Sequence, residues 1–190
     1  MIDRKALLAD AQRQVRALEK DLHQQVEEVA EVGDRLRAEY DRAFRVKRTA
    51  ATWSAWLDER GTQVAVAWVL GTVFVRFCED NGLLAEPYLA GPSDERMTLA
   101  EERHEDFYLQ HPHETARGWL LAAFDAIAAV PAGAALFDRR HNALYQIPVS
   151  HDAANALIAF WRRRGEDGAL VHDFTDPEWD TRFLGDLYQD

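Results

Sequence analysis

The sequence predicts an all-α, multi-helix domain with a long N-terminal amphipathic helical hairpin and a central apolar helix. Three observations carry this. Apolar residues recur at three- and four-residue spacings along most of the chain, which is the period of one helix face. Capping side chains stand directly before several of these stretches, and Gly or Pro directly after them. Almost nothing alternates with the period of two that a half-buried strand needs. Only Leu144–Ile147 and Ala169–Val171 could be short extended pieces.

The first element is a heptad-like stripe of Leu8, Ala11, Val15, Leu18, Leu22, Val29, Val32 and Leu36, with Gln25 in its polar position. It predicts a helix over 3–28 and a second over 31–46, with Gly33 weakening the junction. Such a stripe fits a helical hairpin packed inside one fold. It also fits a dimerising coiled coil, and about three heptads leave both readings open. Thr52 is placed to cap a third helix that runs to Asp80 and stops at Asn81-Gly82. Trp53, Trp56, Leu57, Val64, Trp68, Phe74 and Phe77 cover more than one of its faces, so this helix is expected at the centre of the core. Glu79 and Asp80 sit at its C-terminus, against the macrodipole. They are expected to bond Arg76 or a neighbouring domain.

Residues 83–93 form a turn-rich connection with two prolines. A polar helix follows over 94–110, broken at His111-Pro112-His113. The next spans 114–130 and ends at Pro131, with Trp119, Leu120, Ala123, Phe124 and Ile127 facing inward. A short turn carries Leu136 and Phe137. Ser150 can cap a helix over 152–164 whose inner side is Ala154, Leu157, Ile158 and Trp161. Thr175-Asp176-Pro177 opens a last helix, with Phe183, Leu184, Leu187 and Tyr188 on its apolar side. That pattern is still amphipathic at Asp190, without Gly, basic last turn or cap, and predicts a chain cut from a longer one. The expected organisation is a hairpin over 1–48 and a helical body over 49–190.

Composition narrows the function. The 190 residues carry 22 basic and 33 acidic side chains, a formal charge of −11, and 47% are apolar. A free-standing domain this acidic is a poor duplex-DNA binder, because phosphate contacts need concentrated Lys and Arg. Six Trp and nine Phe argue against disorder. The single cysteine, Cys78, excludes an internal disulfide framework and reads as a buried structural thiol. No apolar leader is visible at the N-terminus. The most apolar stretch, Val64–Cys78, is shorter than the roughly 20 residues of a membrane span. A cytoplasmic protein without a membrane partner is expected.

No catalytic, cofactor-binding or metal residue is assigned. The ten glycines include no G-x-G pair, so neither a dinucleotide fingerprint nor a P-loop can be written. A nucleophile elbow, C-x-x-C and H-E-x-x-H are equally absent. His104, Glu105, Asp106, His111 and His113 read as a polar helix end with solvated imidazoles; a Zn or Ni site is the alternative. Asp176-Pro177-Glu178-Trp179 has Glu where the adenine-stacking loop of amino-methyltransferases has a second proline, and is rejected as an active site. Two basic clusters stand out. Arg162, Arg163 and Arg164 complement a helix dipole. Arg42, Arg45, Lys47 and Arg48 have no acid between them and complement one likewise; for both clusters a backbone contact to nucleic acid within a larger protein is the alternative.

The segments MIDRKALLAD, TQVAVAWVLGTVFVRFCEDNGLL, LFDRRHN and GALVHDFTDPEWDTRFLGDLYQD together resemble the N-terminal region of the adenine-specific DNA methyltransferases of type 2 BREX (Pgl-type) phage-defence systems. The resemblance covers essentially the whole chain. It implies S-adenosylmethionine-dependent methyl transfer to adenine N6, carried out by a domain that is absent here. Phe183, Leu184, Leu187 and Tyr188 would then be the contact to that domain. The expected role is a scaffold and docking module. Its partners would be the missing methyltransferase domain, duplex DNA within the full-length protein, and other BREX components. An independent protein-interaction or dimerisation module of a defence complex is the alternative.

Overall fold

Why the chain folds around one long helix is clearest from that helix itself. In a computed structural model, which describes residues 3–131 and 133–175, α3 spans Trp53–Asp80 and buries Val64, Ala65, Trp68, Val69, Val73, Val75 and Phe77. Thr52 caps it by accepting the Ala55 N–H. Gly82 ends it at φ 69, a left-handed position that glycine takes without strain. α3 is long and apolar enough to cross a membrane by length and composition, more so than its sequence suggested. However, 67% of its most apolar window is buried inside the fold.

Five further helices lie among the described residues: α1 (Arg4–Glu28), α2 (Ala30–Arg45), α4 (Asp94–Gln110), α5 (Ala116–Ala128) and α6 (His151–Trp161). Among the described residues there is no strand, only an isolated bridge between Arg164 and Leu170. The fold is all-α. Neither expected extended piece forms a strand: Ala143–Tyr145 is a 3-10 turn, and Leu170 makes only the bridge.

α1 packs along α3 and against α2 and α6. Much of the stripe is covered within the chain, as the packed hairpin predicts. Its register also shifts. Leu7 and Val26 are buried with Ala11, Leu18 and Leu22, whereas Leu8 is half-buried and Val29 is exposed. The break between α1 and α2 falls at Val29, in the gap expected between residues 28 and 31. Gly33 has another role, since a Cβ there would meet the Val26 carbonyl oxygen at 2.5 Å. One apolar cluster joins α1 and α2 to the helices of the body.

The inner face of α5 is the predicted one: Trp119, Leu120, Ala123, Phe124 and Ile127 are buried. Phe137 leaves its turn to stack on Phe124, with ring centroids 4.7 Å apart. α6 stops at Trp161, three residues before the expected end. Trp161 donates to the Thr72 hydroxyl at 2.8 Å and fixes α6 to α3.

Candidate functional site

The basic cluster lies on one exposed tip. Arg42 and Arg45 end α2, and Lys47 and Arg48 form the turn that follows. The turn is a Schellman-type cap: Arg48 N–H donates to Ala43 at 2.9 Å and Lys47 N–H to Phe44 at 3.1 Å. This geometry puts Lys47 at φ 59. All four side chains are exposed, and they make no ion pair among the described residues. The nearest acids are engaged elsewhere, Asp41 with Arg37 at 3.4 Å and Glu39 with Arg60 at 2.9 Å. Phe44 and Val46, 55% and 56% exposed, stand among the four cations.

The tip has a rigid base. Tyr40 packs on Phe44, Trp53 and Trp56, and Trp53 stacks on Trp56 at 5.7 Å. Tyr40 OH donates to the Ala51 carbonyl at 2.9 Å, tying α2 to the start of α3. Arg37 and Arg60 lie over Trp53 and Trp56, which adds cation–π attraction. The arrangement presents four exposed cations on one tip. It supplies no nucleophile, acid or base.

A second polar group is buried at the end of α3. Arg76 is fully enclosed and binds Asp80 through both terminal nitrogens, at 2.7 and 2.8 Å, and Glu79 at 2.9 Å. Glu79 also accepts the backbone N–H groups of Tyr88, Leu89, Ala90 and Gly91, at 2.6 to 3.1 Å. Asp80 accepts the Phe174 N–H at 2.9 Å. The two carboxylates that oppose the helix dipole therefore hold Arg76 and two loops. Cys78 beside them is buried; burial first, and then Glu79, push its thiol up to about 11, so it is held as an unreactive thiol.

The other candidates are structural. Arg162 donates to the carbonyls of Leu89, Tyr88 and Ala100, Arg163 to Asp10, and Arg164 to Gly168, Asp94 and Met97. The cluster therefore lies beyond α6, with its guanidinium groups spent within the chain. Of the predicted solvated imidazoles, His111 and His113 are exposed but His104 is buried. It stacks on Trp119 at 5.1 Å and bonds Tyr108 at 3.0 Å. Among the described residues no three His, Cys, Asp or Glu side chains converge in a metal-holding group. Phe183, Leu184, Leu187 and Tyr188, and the Asp176–Trp179 loop, lie outside the described residues.

Sequence reasoning missed one buried knot. Asp10 on α1 is bound by Arg13, by Arg163 at 2.7 Å and by His172 at 2.7 Å. No spacing announces it, because its members are up to 162 residues apart.

Over its whole length the chain is 61% identical to the N-terminal part of the adenine-specific methyltransferase PglX of Streptomyces coelicolor. The resemblance in the sequence motifs is thus borne out. The chain spans 16% of that protein's length. No family model and no solved structure matches the chain.

Proposed function

We propose, with 61% identity to the N-terminal part of PglX as the carrying observation, that this chain is a helical scaffold and docking module. It would serve an S-adenosylmethionine-dependent adenine N6 DNA methyltransferase of BREX/Pgl-type phage defence. In this reading the chemistry belongs to polypeptide beyond the matched part. The module works in the cytoplasm, where phage DNA is met. Its own contact to substrate is the tip of Arg42, Arg45, Lys47 and Arg48, whose cations would engage duplex phosphates and set orientation without reading bases.

The test is a chimera in which these 190 residues replace the matching N-terminal part of the Streptomyces coelicolor protein. Adenine methylation is read beside that of the intact protein and of one lacking the part. The chimera is expected to restore what the deletion abolishes. Full methylation by the deleted protein would sink the reading. Replacing the four tip residues by Gln is expected to weaken DNA binding uniformly across sequences. Four phosphate contacts predict a log–log salt slope of about −3.6, and its loss in the replaced protein is the signature.

A second reading, an interaction module for other BREX components, is favoured by the charge of −11. A monomer in sedimentation that captures no such component would argue against it.

A further inference from the structure

Alongside α3 runs an open groove of ≈ 800 Å³, floored by Val66, Leu70 and Phe74 and walled by Leu136 and Phe137 of the following turn. Val66, Leu70 and Phe74 are only half-buried, and Leu136 is 43% exposed. The central helix thus presents one apolar stripe that the described residues cover only in part.

The lining is unusual in its charge. In a sequence with 29% charged residues, none of the groove's lining residues is Asp, Glu, Lys or Arg. Its polar side chains are already engaged. Thr62 bonds Glu19 and Gln63 bonds Glu59. His141 bonds Asp138, and the Asn142 amide bonds both Leu136 and Leu144. A small ligand needs a few convergent polar groups to orient it, and here those groups already bond within the chain. A nucleic acid needs cations, and there are none. An apolar polypeptide segment needs only the surface that is present.

We infer that this α3 groove seats an apolar segment of the polypeptide that continues beyond the matched part in the longer proteins of this kind. The inference rests on the proposed function. The length of that polypeptide supports it, since the chain matches only 16% of the Streptomyces coelicolor protein. The rest is ample to cover the groove within the same molecule. The seat lies apart from the basic tip and leaves it free for DNA.

Side-chain labelling with a photoactivated carbene tests this. In the isolated chain, Leu70, Phe74 and Leu136 are expected to be labelled; in the chimera they are expected to be protected several-fold, while Trp68, buried in both, serves as the folding control. Leu136→Glu in the chimera is expected to restore labelling of Leu70 and Phe74. Equal labelling in chain and chimera overturns the inference. So does protection in the isolated chain, whether it rises with concentration (a second copy) or tracks a co-purified small molecule. If Trp68 is labelled in the chimera, the comparison is made on the unaltered Streptomyces coelicolor protein at the matching positions. Methylation separates the two claims: an active chimera with an open groove removes only the inference, and a protected groove without methylation removes only the functional reading.

Discussion

Glu79 is the polar side chain with the most depending on it. Its two oxygens hold Arg76 and four consecutive backbone N–H groups of the 88–91 loop, buried except at half-buried Tyr88. Glu79→Gln keeps the shape but removes the charge and replaces an acceptor by a donor. Whichever oxygen becomes the amide nitrogen, two backbone N–H groups lose their acceptor while Arg76 keeps Asp80, so unfolding in urea is expected to lose about 2–5 kcal/mol. Glu79→Ala should cost no less. At Gly33 two effects oppose each other. Helix propensity favours Gly33→Ala by about 1 kcal/mol, yet the new Cβ meets the Val26 carbonyl at 2.5 Å. A backbone carbonyl cannot rotate away as a side chain can. The variant is expected to be destabilised by about 1–3 kcal/mol, and a raised midpoint would refute the packing account. The sequence hinted at Glu79 and Asp80 through their conflict with the dipole. It could not reveal the four N–H partners, since no spacing rule links a helix end to the turn of a loop nine residues on.

At the scale of elements, the helix starts were legible wherever a cap was local. Asp3, Thr52, Ser93 and Ser150 each accept the N–H three residues on, as their residue types suggest. Ends set by tertiary contacts were not. α6 stops at Trp161 because Arg162 turns away to three carbonyls of the 88–100 region, where periodicity alone extended it. Leu7 replaces Leu8 in the stripe because the helix drifts against a strict seven-residue repeat. The basic tip was legible as charge but not as backbone. Its turn places Lys47 at φ 59, where an L side chain is strained by about 1–2 kcal/mol and glycine is not. Lys47→Gly is therefore expected to raise stability by roughly 1 kcal/mol. The same change should shrink the DNA salt slope by about 1. A variant that gains stability and loses DNA affinity would separate the two roles of one residue; a loss of both would show that the lysine side chain packs as well as binds.

At the scale of the whole molecule, the buried histidines tie widely separated parts of the chain together and make its stability respond to acid. Burial first, with Arg162 and His151, pushes His104 down to about 4. Burial first, with Arg163 and Arg76, does the same to His172. The Asp10 carboxylate that accepts from His172 is already shared with Arg163 and Arg13, so little of its charge is left to hold a second proton on the ring. Unfolded, both imidazoles protonate near 6.5. Between pH 6.5 and about 4 the unfolded chain consequently binds more protons than the folded one, and stability falls as pH falls. Above 6.5 both rings are neutral in either state and add no slope. The urea midpoint is thus expected to be level above pH 7 and to drop from pH 6.5 downward, before most carboxylates titrate. His104→Phe, which keeps a ring against Trp119 but cannot take a proton, should flatten about half of that slope between pH 6.5 and 5. An unchanged slope would mean that His104 is charged in the folded chain. The acid response would then belong to the Asp10 knot alone, making the long-range tie between α1 and the segment after α6 the element that opens first.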